Sequence, residues 1–198
     1  FACNKWETGC GHCPDLNYYP RVHEDRSAQM WKSKKQIFSR ANFHLVCPSK
    51  WMKEKVSKSI LKEKDISLIY NGVDEKLFKP SMEITPEIHN LDKSNLLVGF
   101  MAHGGVKNPY KGGRFFKDAI VNLKEKFPKV YFLEIGGDPD DKELPNHVIK
   151  ANYTKNQKTI VQNYNSIDLL VYPSTADNCP LVVLEAMACG IPIVGFPV

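Results

Sequence analysis

The second half of the chain alternates apolar segments with amphipathic ones, and this alternation restricts the fold more than any other feature. Near-continuous apolar runs predict strands that are buried on both faces, and the segments between them have the apolar spacing of helices. Predicted strands cover 96–101, 130–135, 147–153, 169–172 and 191–196, and predicted helices cover 110–126, 156–166 and 180–189. This order favours the α/β class, with a parallel sheet covered by helices on both faces.

The first half of the chain shows the same alternation over fewer elements. Helices are predicted over 26–41 and 50–62, and strands over 43–47 and 66–70. Residues 1–24 lack periodicity and read as an irregular loop. A polar, proline-containing stretch then separates the halves, so we predict a first domain over 1–78, a linker over 79–94 and a second domain over 95–198. Because the chain begins in a loop and stops on a strand, we expect a piece of a longer protein that lacks sequence at both ends.

Composition and charge narrow the class of protein. No segment reaches the roughly 18 apolar residues that span a bilayer, and the start lacks the layout of a signal peptide, so we expect a cytoplasmic protein. The net charge is +5, and much of the excess consists of lysines between residues 32 and 64. This basic surface suits an anionic membrane or phosphates, or it is simply a solvated helix face. Aromatic residues do not alternate with these lysines, which disfavours nucleic acid as a partner.

Three loops follow predicted strands at the edge where open parallel sheets bind their ligands, namely 102–110, 136–146 and 173–180. In the first of them, Gly104 and Gly105 would let backbone amides approach a ligand closely. The glycine spacing matches neither a P-loop nor a dinucleotide-binding motif, which disfavours an ATPase or a dehydrogenase.

Lys111-Gly112-Gly113 opens the helix that follows the first loop. Glycines weaken a helix by roughly 1 kcal/mol each, and a lysine is unfavourable at the positive end of a helix. The glycines and the lysine are both explained if Lys111 binds a phosphate at the helix N-terminus. The alternative is an ordinary solvated lysine beside a flexible turn.

The third loop leads into the segment LVVLEAMACG at 181–190. Asp177 and Asn178 are suitable N-cap residues, although for Asp177 a plain cap is also a sufficient role. The amides of Leu181 and Val182 would then face the strand ends, where they could bind a diphosphate.

The predicted helix at 180–189 is almost wholly apolar, so we expect it to be buried. Glu185 is its only charge, and a carboxylate in such a helix needs a partner. The hydroxyl groups of a ribose are suitable donors, and the alternative is a cation or a backbone group elsewhere in the protein.

A resemblance to a known family rests on these segments. The stretch SIDLLVYPSTADNCPLVVLEAMACGIPIVGFPV (166–198) strongly resembles glycosyltransferase family 4, the group 1 glycosyltransferases. VCPSKWMKEKVSKS (46–59) and IYNGVDEKLFKP (69–80) resemble the end of the first domain and the hinge of that family. CNKWETGCGHCPDLNYYP (3–20) and the DNCP variant are similar to the subset that acts in capsular, O-antigen and colanic-acid-like polysaccharide synthesis. The resemblance implies the GT-B fold, with two Rossmann-like domains that are both incomplete here.

The resemblance also implies roles for individual residues. Lys111 matches the lysine that neutralises the donor diphosphate, and Glu185 matches the carboxylate that binds the ribose. Asp177 matches the residue that holds the transferred sugar, where the family has a glutamate separated from the second one by seven intervening residues. Asn178 matches the start of the phosphate-binding helix. The family often has an arginine shortly before the lysine, and the nearest basic residue here is Lys107.

The implied function is transfer of a hexose, with retention, from a nucleotide-diphosphate sugar to a saccharide or lipid-linked saccharide acceptor. It would take place at the cytoplasmic face of the membrane in cell-surface polysaccharide synthesis, and it would require no metal and no cofactor. The alternative is a non-catalytic nucleotide-sugar-binding or zinc-stabilised scaffold. A nucleotide-sugar epimerase is disfavoured, because its motifs do not match LVVLEAMACG.

Three cysteines lie close together near the start of the chain, at Cys3, Cys10 and Cys13. They supply three thiolates, and His12, His23 or an upstream residue would have to complete a zinc site. The other interpretation is a reduced structural cluster.

Overall fold

The structure is a computed structural model and describes residues 3–17, 21–138, 140, 144–145 and 147–196. Parts of the predicted loops 1–24 and 136–146 therefore lie outside the described residues. The chain divides into two compact units, one ending at Asn71 and the other starting at Gly72. In the described part of the chain, no helix is both long enough and apolar enough to cross a membrane.

The first unit contains two helices and a small parallel sheet. Its elements are α1 (Ser27–Arg40), β1 (Leu45–Cys47), α2 (Lys50–Ser57) and β2 (Ile66–Leu68). The register pairs Leu45 with Ile66 and Cys47 with Leu68. Helix α2 ends at Ser57, not at 62 as predicted. The reason is that Ser59 bonds to the backbone of Val56 and Leu61 through its hydroxyl group, which competes with helical hydrogen bonds.

The second unit is built on a five-stranded parallel sheet with the strand order β5-β4-β3-β6-β7. Its elements are β3 (Leu96–Met101), α3 (Gly113–Lys126), β4 (Val130–Gly137), β5 (Val148–Asn152), α4 (Gln157–Asn165), β6 (Leu169–Tyr172), α5 (Leu181–Ala188) and β7 (Ile193–Gly195). All neighbouring strands run parallel. The predicted α/β class with parallel sheets is confirmed.

Alternate side chains of the central strands point into two separate cores, one on each face of the sheet. Along β3, Leu97 belongs to one cluster, and Val98 and Phe100 belong to the other. Helix α3 covers the second cluster through Phe116 and Ile120, both fully buried. Burying each such side chain contributes about 1.5–3 kcal/mol, so packing on both faces holds the strand ends in place.

The segment before β3 belongs to the second unit and packs against its core. Phe78 and Ile88 belong to its core, and the buried Thr85 donates its amide to the hydroxyl group of Ser166 at 2.7 Å. Thr85 and Ile88 fall within the predicted linker 79–94. The boundaries 1–78, 79–94 and 95–198 stay predictions.

Candidate functional site

The site lies where the strand order reverses. From β3 the chain adds β4 and β5 on one side of the sheet, and β6 and β7 on the other. Loops that follow adjacent strands of this kind flank a crevice beyond their carboxyl ends. The loops after β3 and β6 meet there, because the Ser174 hydroxyl group and the Thr175 amide both donate to the carbonyl of Tyr110. The first and third candidate loops, 102–110 and 173–180, are therefore brought together.

Glycines fix the path of the loop after β3. Gly112 has a φ of 72°, and a Cβ added there would overlap the carbonyl oxygen of Pro173. A Cβ at Gly113 would overlap the backbone of Val106 in the same way. Helix α3 begins at Gly113, not at Tyr110 as predicted, with Gly112 as its N-cap. Close backbone packing thus accounts for both glycines, and their presence alone does not indicate a phosphate.

The amides of the loop after β3 are already bonded within the protein. Gly104 donates to the carbonyl of Gly136 at 3.0 Å, and Gly105 donates to that of Ala102 at 2.9 Å. Contact between these glycines and a ligand stays a prediction, and it would depend on their lack of a side chain. Lys107 follows them on the exposed surface.

A buried carboxylate that the sequence reasoning missed holds this loop from below. Glu134 lies in β4 with 1% of its surface exposed, and its Oε1 accepts the Val106 amide at 2.9 Å. A Cβ at Gly105 or Gly137 would overlap this carboxylate. The signal was a single acidic residue inside the apolar segment VYFLEIGG, since a charge buried in a strand needs a local donor.

Lys111 reaches across the crevice to the loop after β6. Its Nζ lies 2.5 Å from Oδ2 of Asp177, and their side chains are 32% and 17% exposed. The Tyr172 hydroxyl group donates to the same oxygen, and the Asn178 amide donates to Oδ1 at 2.8 Å. Partial burial alone would raise the pKa of Asp177, but the hydrogen bonds from Lys111, Tyr172 and Asn178 outweigh it and lower that pKa.

The predicted N-cap of α5 is wrong. The helix begins at Leu181 with Pro180 as its N-cap, and within the described residues no side chain caps it. The Asp177 carboxylate is held by Lys111 and Tyr172 before the helix begins, so it does not reach the first turn. The amides of Leu181 and Val182 lie in that turn, where a helix leaves its N–H groups without intrahelical acceptors.

The expected burial of α5 is also wrong for most of the helix. Of its residues only Ala186 is buried, and Met187 is 64% exposed. An apolar composition predicts burial only where another element covers the helix, and here the covered stripe is narrow.

Glu185 has a partner that the sequence reasoning missed. The Tyr164 hydroxyl group donates to its Oε2 at 2.6 Å. Tyr164 lies in α4, is completely buried, and packs edge-on against Phe78 with ring centroids 6.1 Å apart. The apolar spacing of the predicted helix 156–166 gave no indication of this contact. A buried tyrosine needs a hydrogen-bond partner for its hydroxyl group, and that requirement was the available signal.

The cysteine-bearing segment of the first unit has an unusual backbone. Cys10 and His12 have φ values of 43° and 49°, and the Lys5 ammonium donates to the carbonyl of His12 at 2.8 Å. Burial, and then the neighbouring thiols of Cys3 and Cys13, raise the pKa of Cys10. Among the residues that the structure describes, no group of three or more His, Cys, Asp or Glu side chains is arranged to hold a metal ion. The zinc alternative therefore gains no support from this geometry.

Comparisons with known proteins agree with the resemblance. Residues 96–198 match the family model described as "Glycosyl transferases group 1". The "Putative colanic acid biosynthesis glycosyl transferase WcaC" of Escherichia coli (strain K12) is 25% identical over 196 residues, which are 98% of this chain and 46% of that protein. The "Sulfoquinovosyl transferase SQD2" of Arabidopsis thaliana is 26% identical over 83% of this chain and 32% of its own length. The chain thus spans less than half the length of these curated relatives.

Solved structures show the same fold. Sucrose-phosphate synthase from Thermosynechococcus elongatus superposes with a TM-score of 0.64 at 20% identity, over 88% of this chain and 46% of that chain. Anabaena Alr3699/HepE in complex with UDP-glucose gives a TM-score of 0.60 at 22% identity, over 85% of this chain and 49% of that chain. These likenesses confirm the predicted GT-B type fold class.

Proposed function

Because the chain belongs to the group 1 glycosyl transferases, we propose that it binds a nucleotide-diphosphate sugar and transfers the hexose with retention at the anomeric carbon. The acceptor is a saccharide or a lipid-linked saccharide of cell-surface polysaccharide synthesis. One observation carries the proposal: Lys111 and Asp177 meet across the crevice where the strand order reverses, directly before the helix that bears Glu185.

Lys111 binds the diphosphate in this proposal. Lys111 directly precedes Gly112, the N-cap of α3, and among the described residues its ammonium pairs with the carboxylate of Asp177. A diphosphate presents the same kind of negative oxygen with more charge, so it can replace the carboxylate as the partner of Lys111. Positive charge fixed at this place stabilises the leaving nucleoside diphosphate as the bond to the sugar breaks. The amides of Leu181 and Val182 contribute from the start of α5.

Asp177 and Glu185 bind the two ends of the donor in this proposal. When the diphosphate binds Lys111 in place of Asp177, the Asp177 carboxylate can accept hydrogen bonds from the hydroxyl groups of the hexose. Glu185 accepts those of the ribose. Asp177 is shorter by one methylene than the family's glutamate, and its hydrogen bonds to Tyr172 and Asn178 hold it in the loop.

The place of action forms part of the same proposal. A relative matched over 98% of the chain is named for colanic acid biosynthesis, which supports surface-polysaccharide assembly. The lysines of α2, including the exposed Lys50 and Lys53, suit an anionic membrane at the cytoplasmic face.

Two substitutions in the full-length protein test the assignment. We expect Lys111→Ala and Glu185→Gln each to lower kcat/KM for the donor at least tenfold, or ~1.4 kcal/mol. The assay measures release of nucleoside diphosphate from a panel of UDP-, GDP- and ADP-sugars. Lys126→Ala and Glu125→Gln are matched controls, because both residues are exposed at the far end of α3. Wild-type turnover in both site variants would refute the assignment, and binding without turnover in the wild type would favour the non-catalytic scaffold.

A further inference from the structure

We propose that Tyr164 is a positioning residue for nucleotide binding: its hydroxyl group holds one oxygen of Glu185 and thereby directs the other oxygen at the ribose. This inference rests on the proposed function, since it concerns the same carboxylate. It adds a residue from another helix, α4, to the donor site on α5.

The direction of the hydrogen bond is fixed by chemistry. Desolvation by burial, and then the neighbouring Glu185 carboxylate, raise the pKa of Tyr164 well above its ordinary value, so the phenol stays protonated. It therefore donates to Oε2 of Glu185, at 2.6 Å, and the carboxylate accepts. Among the described residues, Tyr164 is the one hydrogen-bond partner of the Glu185 side chain.

The burial of the two side chains shows on which side of the Glu185 carboxylate Tyr164 lies. Tyr164 is completely buried and packs against Phe78, so its ring has little freedom to move. Glu185 is only partly buried. The tyrosine thus binds the carboxylate from the core, and the outer side of the carboxylate is left to a ligand.

Fixing one oxygen has a defined consequence for binding. A glutamate that moves among several rotamers loses up to about 1.5–2 kcal/mol of side-chain entropy when it is ordered. Tyr164 orders Glu185 before the nucleotide arrives, and preorganisation of this kind improves affinity for the group that the carboxylate contacts. The effect should be confined to the ribose hydroxyl groups and should spare the diphosphate.

Phenylalanine at this position removes only the hydroxyl group. The full-length protein is titrated calorimetrically with UDP, GDP and ADP, and the tightest binder is compared with its 2′,3′-dideoxy counterpart. We expect the wild type to prefer the ribose form by about tenfold, as one hydrogen bond to a charged group allows. In Tyr164→Phe this preference should fall to about threefold or less, while the affinity for the dideoxy form is unchanged.

Tyr131→Phe is the matched control. It removes a tyrosine hydroxyl group from the same unit, at the beginning of β4 and so at the opposite end of the sheet from the site. It should keep the wild-type preference.

A double-mutant cycle separates positioning from a merely structural role. In a Glu185→Gln background, Tyr164→Phe should have no further effect on the ribose preference. If Tyr164→Phe keeps the full preference, or weakens ribose and dideoxy forms equally, Tyr164 only stabilises the fold and the inference is overturned. If the wild type itself shows no preference, the ribose role of Glu185 in the proposed function fails instead.

Discussion

The two loops that meet at the crevice are built in opposite ways. The loop after β3 is held through its backbone: its amides donate to carbonyls and, at Val106, to the buried Glu134, and Gly112 lies against the backbone of Pro173. The loop after β6 is fixed by side chains, because the Asp177 carboxylate accepts three hydrogen bonds. One loop is therefore a rigid support that presents Lys111, and the other provides polar groups that a ligand can compete for.

The largest loss of stability is expected when a side chain is added to the loop after β3. Gly112→Ala places a Cβ against the carbonyl of Pro173 at a positive φ. We expect a loss of about 2–4 kcal/mol in the free energy of unfolding, because a packed backbone cannot yield without strain. Urea unfolding followed by circular dichroism measures it.

Gly72→Ala is the control for that experiment, since a Cβ there meets no atom within 4 Å and the φ is not positive. Its stability should stay within about 0.5 kcal/mol of the wild type. Equal stability of the two variants would show that the loop after β3 is not rigid.

A second variant removes the hydrogen bond that Glu134 accepts from the loop after β3. Glu134→Ala deletes the acceptor of the Val106 amide and leaves a buried donor without a partner. The expected cost is about 1–3 kcal/mol, which is smaller than for Gly112→Ala because no atoms overlap. Hydrogen exchange at Val106 should also become faster. Glu125→Ala, an exposed residue of α3, should change neither quantity. Unchanged protection of Val106 would contradict the role of Glu134.

The third variant sharpens the comparison at the polar loop. The pKa of Asp177 is lowered in the folded protein, so its ionised form adds stability above the ordinary carboxyl pKa of 3.8, and this stability is lost as the pH falls. Asp177→Asn should remove that part of the pH dependence. The effect should reach about 1 kcal/mol at most, because the ion pair is partly exposed.

Unfolding measured between pH 7 and pH 3 tests this, with the exposed Asp118→Asn as control. If Asp177→Asn follows the wild-type curve over the whole range, the contact with Lys111 does not stabilise the fold.

The strands and the two facing site residues could be predicted, because they depend on sequence patterns within short segments. Apolar runs identified the five strands of the second unit, and the rule that ligands bind at strand ends pointed to Lys111 and Asp177, which do meet. Pairings between distant segments were not predictable. Tyr164 and Glu185 lie on different helices, and Gly112 meets Pro173 only after the sheet has formed. The exposure of α5 was missed because composition does not reveal which element covers a helix.

The most direct test is a crystal structure of the full-length protein with a bound sugar nucleotide, chosen from the panel by turnover. The account predicts a diphosphate oxygen within hydrogen-bond distance of Lys111 Nζ, and a ribose hydroxyl group on the Glu185 oxygen that Tyr164 does not hold. A nucleotide bound elsewhere, with Lys111 still on Asp177 and Glu185 not in contact with the ligand, would contradict it.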